Sequence, residues 1–340
     1  YSTPEFMILA AHYRTRRIRL GTGVSSLPYH HPLIFADRFM QLHHMTQGRA
    51  MFGAGPGALV SDAKMMGIET DRQRDMMEEA LEDILKLFRG ETVNHETDWY
   101  TLKNARLQLR PYGNQPIDVV TASMMSPSGP KAAGRLGTGL LSMSASAAPA
   151  LKVAGTNWDL ACDVAAEHGN TMDRSQWRMI GLVHVAETRE QAISDVQFGI
   201  EDWVKYFEDV AVIPMVPPER RGDPVAHLMD TGHAAIGTPD EVIKQVEGLW
   251  ESSQGGFGCF LTTDHNWTSR EAKLKSYELI ARHVFPHFQG HNVQREQSNA
   301  WVRKSQKDFK ASHNQATAKQ IERHNRQQDA KAKPTTAAAE

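Results

Sequence analysis

The chain has 340 residues, 40% of them hydrophobic and 23% charged, and its formal net charge is -2. Two distant cysteines, Cys162 and Cys259, exclude a disulfide scaffold and suit a reducing, cytoplasmic setting. No run approaches the roughly 20 apolar residues of a membrane span, and the near-neutral charge argues against a dedicated nucleic-acid binder.

The chain opens at Tyr1 without an initiator Met, as an expression scar or a sequence lacking earlier residues would. Thr3-Pro4-Glu5 reads as N-cap, N1 and a first-turn acid for a helix over Phe6 to Tyr13. Ile18 to Val24 reads as a buried strand ending in glycines. Pro32 to Met45 reads as a helix stopped by Gly48, and Arg49 to Gly55 as a second strand. A helix over Arg72 to Phe88 follows, then an excursion of loop and short strands from Glu91 to Pro111. Strands are expected at Pro116–Ala122, Thr138–Met143, Met179–Ala186 and Gly255–Thr263. Helices are expected at Lys131–Leu136, Ala148–Glu167, Arg189–Phe207 and Ser269–Val284. The stretch Val212 to Ala235 is Pro-rich and irregular, and Gly237-Thr238-Pro239-Asp240-Glu241-Val242 opens a capped helix. From about Gln289 the chain turns polar, reading as a solvated helix that frays.

Alternating helices and near-continuous apolar strands imply a parallel sheet covered by helices. A doubly wound sheet and a (β/α) barrel both fit; about six βα units are visible where a barrel has eight. The expected division is a barrel domain over 1–288 and a tail over 289–340.

Gly53-Ala54-Gly55-Pro56-Gly57-Ala58 formally matches a dinucleotide fingerprint, but no helix opens at Gly57 and no second strand with a ribose-binding acid follows. Its glycines suit close approach of a flat ligand to the backbone at a strand end. Ser123 to Pro130 lies between a strand and a helix. Its serines, with the free N–H groups of a helix start, could form a phosphate site; a plain helix cap is the other reading. The histidines offer no metal-binding spacing, since His30-His31 and His43-His44 are adjacent pairs and Pro286 and Gly290 interrupt the later ones. His31, just after a strand, is a site candidate. Paired methionines such as Met65-Met66 and Met124-Met125 read as core filler or as the lining of an apolar cavity.

Taken in order, Ile18 to Val24, Pro28-Tyr29-His30-His31-Pro32, Gly48 to Gly55, Ser123 to Pro130 and Gly237 to Val242 resemble the bacterial luciferase-like, flavin-dependent monooxygenases. Leu27 to Pro32 and Ser126 to Pro130 are most similar to the subgroup labelled limonene monooxygenase. The resemblance implies a TIM-type (β/α)8 barrel with a helical C-terminal extension. It implies reduced FMN, or a deazaflavin in sister subfamilies, bound at the C-terminal ends of the strands. It also implies a non-proline cis peptide at Gly23–Val24, with Gly55 and Ser142 at the cofactor site. Phosphate contacts fall on Ser123, Ser126 and Arg74, and His31 and Asp62 lie near the flavin and substrate. A family phosphate arginine falls on Pro56, an acid on Ala122 and a reactive cysteine on Gly55, so those contacts are absent. The family's catalytic histidine aligns before Tyr1, so the chain is expected to lack the first two barrel strands and that residue.

The implied reaction inserts one oxygen atom of O2 into a small apolar aldehyde, ketone, alkene or terpene through a C4a-peroxyflavin. A separate flavin reductase supplies the reduced flavin, Val212 to Ala235 acts as a mobile cover, and the chain is expected to form a homodimer. A deazaflavin-dependent hydride-transfer enzyme and a non-catalytic flavin binder are the alternatives.

Overall fold

In the computed structural model, which describes residues 3–142, 148–263 and 266–332, contacts divide the chain into the units Tyr1–Ile280 and Ala281–Glu340. The first unit begins with helix α1 (Pro4–Arg14), strands β1 (Leu20–Gly21) and β2 (Ser25–Ser26), and helix α2 (Pro32–Met45). Strand β3 (Ala50–Gly55), helices α3 (Val60–Met65) and α4 (Gln73–Phe88) and an antiparallel hairpin of β4 (Val93–Glu96) and β5 (Thr101–Ala105) follow. Next come β6 (Asp118–Ser123), α5 (Ser128–Leu136), β7 (Gly139–Ser142), α6 (Ala148–Glu167) and β8 (Trp177–Val185). Helices α7 (Arg189–Gln197), α8 (Ile200–Lys205) and α9 (Pro224–Asp230), strand β9 (Ala234–Gly237), helix α10 (Pro239–Ser252), strand β10 (Cys259–Thr263) and helix α11 (Arg270–Leu279) complete the unit. The second unit carries α12 (Phe285–Phe288), α13 (Val293–Lys304) and α14 (Gln306–Ala332), and the rings of Trp301 and Phe309 meet edge to face.

The main sheet is parallel throughout and runs β1-β3-β6-β7-β8-β10, with β2 also on β3 and β9 also on β8. Among the described residues it is open, with β1 at one edge and β10 at the other. One face is packed by helices. Phe52 of β3 meets Phe35 and Phe39 of α2 and Phe88 of α4, and Trp177 of β8 stacks on Trp158 of α6. The other face is concave. Near the strand starts, Asp118 accepts from both Arg19 and Arg178 across the gap between β1 and β8, at 2.8 and 2.6 Å.

Local rules set most boundaries. Pro32 takes N1 of α2, where its missing N–H costs nothing, and Gln47 and Gly48 leave that helix in the left-handed region. Thr238 and Glu241 form the reciprocal capping box of α10.

Three expectations need correction. Within the expected Ile18 to Val24 strand only Leu20–Gly21 forms a strand, largely exposed, and a second short piece, Ser25–Ser26, follows an irregular turn. The helix over Arg189 to Phe207 breaks at Gly199, whose N–H bonds Trp267 O. The stretch from Val212 to Ala235 contains α9 and the start of β9, and its Val216, Val225 and Leu228 are buried against Trp203 and Trp267. Part of the stretch is therefore regular and packed into the core. No helix among the described residues is long and apolar enough to cross a membrane.

Candidate active site

In a parallel sheet fed by helices, loops and helix starts gather at the C-terminal strand ends, where ligands bind in this class of fold. Here those ends present a low ridge and a flat floor. The ridge is residues 22–24 between β1 and β2, and its Gly23–Val24 peptide is cis. Gly53 and Gly55 of β3 lie under it: an added Cβ would meet Thr22 O at 2.3 Å from Gly53, and Val24 Cγ2 at 2.3 Å from Gly55. Because side chains alternate along a strand, Gly53 and Gly55 share the concave face while Phe52 and Ala54 face the helices. A Cβ on Gly23 would meet nothing within 4 Å, so the backbone there is open to a ligand. A Cβ on Gly55 would also lie 3.8 Å from Ala122 Cβ, which continues the small-residue floor onto β6.

Polar groups flank this floor. Ser123 and Ser142 are register partners at the ends of β6 and β7, and both are buried. Ser123 Oγ accepts from Asn157 Nδ2 at 3.0 Å, and Ser142 Oγ accepts from the Trp177 indole at 2.9 Å. Each hydroxyl is thus oriented from the helix side, and each keeps its own proton to donate. Ser126 is half-buried; its Oγ lies 2.9 Å from Ser128 Oγ and accepts from Ser128 N. No side chain caps α5, whose N-cap is Pro127. Arg74, in the first turn of α4, is exposed and makes no hydrogen bond or ion pair among the described residues. Hydroxyls at a helix start and an unpaired cation are the kinds of group that bind phosphate.

A second cluster joins the segment after β2 and the loop after β3 to α4. Gln73 Nε2 donates to Tyr29 Oη and to Pro56 O, both at 3.0 Å. Gly57 sits at φ +90, and a Cβ on it would meet Tyr29 Oη at 2.4 Å. Burial pushes the Tyr29 phenol above its ordinary range; the Gln73 hydrogen bond opposes this and the Asp62 carboxylate adds to it. Asp62 itself, on α3, makes no side-chain hydrogen bond or ion pair among the described residues. His31 is the exposed N-cap residue of α2, and its ring meets Tyr100 edge to face at 6.0 Å. Tyr100 in turn donates to the fully buried Asp83 at 2.8 Å, and burial followed by that bond raises its phenol pKa strongly.

The structure therefore brings Gly23, Val24 and Gly55 together, aligns Ser123 with Ser142, and leaves Arg74, Ser126, Asp62 and His31 accessible. His31 is turned toward the hairpin residue Tyr100, while Asp62 acts on Tyr29. Tyr29, Gln73, Asn157 and Thr22 are part of this region and were not singled out from sequence. Tyr29 and Thr22 lie inside recognisable motifs, whereas Asn157 has no local signal. Burial raises the pKa of both thiols, Cys162 and Cys259. Among the described residues no group of three or more His, Cys, Asp or Glu side chains converges as a metal site.

A family model described as luciferase-like monooxygenase matches residues 2–255. The chain is 45% identical over 293 residues to limonene 1,2-monooxygenase of Rhodococcus erythropolis, covering 85% of this chain and 74% of that protein. It is 41% identical over 297 residues to 4-hydroxyprotoasukamycin monooxygenase of Streptomyces nodosus subsp. asukaensis, covering 85% and 79%. Among solved structures it resembles the oxygenating constituent of 3,6-diketocamphane monooxygenase from Pseudomonas putida, a type II Baeyer-Villiger monooxygenase in complex with FMN. That match has a TM-score of 0.65 at 26% identity and covers 84% of this chain and 83% of that one. With that model matching most of its length and relatives of this kind, the chain belongs to the luciferase-like monooxygenase family.

Proposed function

We propose that the chain is the oxygenase of a flavin-dependent pair: it takes reduced FMN from a separate flavin reductase and places one oxygen atom of O2 in a small apolar substrate. What supports this reading is the ridge of Gly23 and Val24 over Gly55, with the half-buried Ser126 before α5 and the unpaired, exposed Arg74 of α4 as phosphate-binding groups. Those residues fit the cofactor. Arg74, Ser126 and the Gly129 N–H at the start of α5 would hold its phosphate, with Ser123 supplying a further hydroxyl from below. The open Gly23 backbone on the ridge would let a flat ring approach closely. Bound reduced flavin supplies the two electrons that activate O2, so one oxygen atom enters the substrate and the other leaves as water. The protein orients that ring, fixes the phosphate and keeps polar side chains off the floor. Ser142, tied to Trp177, holds the end of β7 in place beside it. His31, after β2, and Asp62, after β3, are accessible groups that can carry a proton. The limonene and diketocamphane relatives act on apolar terpenoid molecules by name, which supports an apolar substrate here.

Binding of FMN, followed by flavin fluorescence, tests the site. Arg74→Ala is expected to weaken binding by about 1.5–3 kcal/mol and Ser126→Ala by about 1 kcal/mol, the usual values for charge-assisted and neutral hydrogen bonds. Unchanged affinity in the double variant would remove this site from consideration. Turnover with a reduced deazaflavin in the absence of oxygen would favour hydride transfer instead.

A further inference from the structure

We propose that Thr22 is a positioning residue for the ridge that faces the flavin: its hydroxyl replaces the ladder hydrogen bonds that β3 loses where β1 and β2 separate. The argument starts from register. Gly21 pairs with Met51, and Ser25 pairs with Ala54. Four steps on one side therefore oppose three on the other, so the ridge carries one extra residue, as in a β-bulge. The last regular bond of β1 runs from Thr22 N to Met51 O at 3.2 Å. Beyond it, the buried Gly53 faces the bulge with both backbone groups to satisfy.

Thr22 meets both. Its Oγ1 accepts from Gly53 N at 3.0 Å and donates to Gly53 O at 3.2 Å, and the side chain is 5% exposed. One hydroxyl thus stands in for a missing backbone segment. The pairing works only because residue 53 has no Cβ, which would collide with Thr22 O at 2.3 Å. The Thr22–Gly53 clasp fixes the height of residues 23–24 above the floor, and that height sets the surface on which a flat ring rests. Thr22 itself is buried beneath the ridge and acts through the Gly23–Val24 backbone. The proposal rests on the flavin reading of the site given above.

The test compares Thr22→Val, Thr22→Ser and Thr121→Val. Thr121 is a buried control on the neighbouring β6, with its hydroxyl bonded to Thr138 at 2.7 Å and not to β3 or the ridge. Hydrogen exchange is read on peptides covering 50–55, and FMN binding by affinity and by the absorption spectrum of the bound flavin. Thr22→Val is expected to speed exchange at Gly53 at least tenfold, weaken FMN at least tenfold and shift the bound spectrum. Thr22→Ser, which keeps the hydroxyl, should stay within threefold of wild type in both measurements. Thr121→Val should lower Tm without changing the flavin spectrum. Wild-type exchange and spectrum in Thr22→Val would overturn the proposal. So would equal loss in Thr22→Ser, which also decides the matter if Thr22→Val does not fold, or an equal spectral change in Thr121→Val. Failure of the wild-type protein to bind FMN would sink the flavin reading, while the exchange data would still judge the clasp.

Discussion

Gly55 lies so close to Val24 that a methyl group on it would stand 2.3 Å from Val24 Cγ2. Val24 is a short branched side chain on an irregular turn, so it cannot swing clear as a long one would. Gly55→Ala is therefore expected to destabilise the protein by about 1–3 kcal/mol, the range for overpacking a filled site. Val24→Ala removes the colliding methyl and should recover part of that loss in the double variant. Additive effects in urea unfolding would show that the two positions do not press on each other.

Ser25 makes a contrasting prediction. Its Oγ is buried and has no hydrogen-bond partner among the described residues. A hydroxyl left in that state costs about 1–3 kcal/mol relative to a satisfied one, and its removal returns that cost. Ser25→Ala is thus expected to leave Tm unchanged or raise it, unlike an average buried substitution. A clear fall in Tm for the protein without flavin would mean that this hydroxyl has a bonding partner in solution.

How much of this was legible beforehand depends on the range of the interaction. Helix α2 is bounded as read, because Pro32 starts it and Gly48 ends it with local chemistry. The capping box of α10 was readable for the same reason. Strand β9 was not, since four residues from Ala234 to Gly237 become a strand only by pairing with the far end of β8, some 50 residues earlier. The break at Gly199 is also non-local: a Cβ there would stand 2.3 Å from Asn266 O, a contact that the run from Arg189 to Phe207 does not encode. At the site, the serines could be picked out from a turn between strand and helix. That Asn157 and Trp177 already bond Ser123 and Ser142 depends on side chains some 35 residues away.

The open sheet makes a dynamic prediction. Among the described residues, strand β10 pairs only with β8 and strand β1 only with β3, whereas β6 and β7 are paired on both sides. Unpaired edges open at low free-energy cost, and doubly paired strands open only with much of the domain. Peptides over 259–263 and 18–21 should exchange deuterium faster than those over 118–123 and 139–142. Equal protection in all four would mean that the edges are covered in solution by further polypeptide.

The last prediction concerns acid. Glu82 on α4 bonds Lys86 at 2.8 Å and Arg135 of α5 at 2.7 Å, so it ties two neighbouring helices together. Its carboxyl pKa falls from 4.5 to about 2, first through the Lys86 hydrogen bond, with burial opposing and Arg135 adding to the fall. A carboxyl whose folded pKa is depressed binds protons more weakly in the folded than in the unfolded state. Its contribution is therefore complete above pH 4.5 and is lost as pH falls toward 2. The side chain is 35% exposed, so solvent screening reduces the stabilisation to on the order of 1 kcal/mol. Glu82→Gln should lower Tm at pH 7, and the gap from wild type should close steadily between pH 4.5 and pH 3. A gap that stays constant across that range would show that Glu82 acts by packing or neutral hydrogen bonding and not by charge.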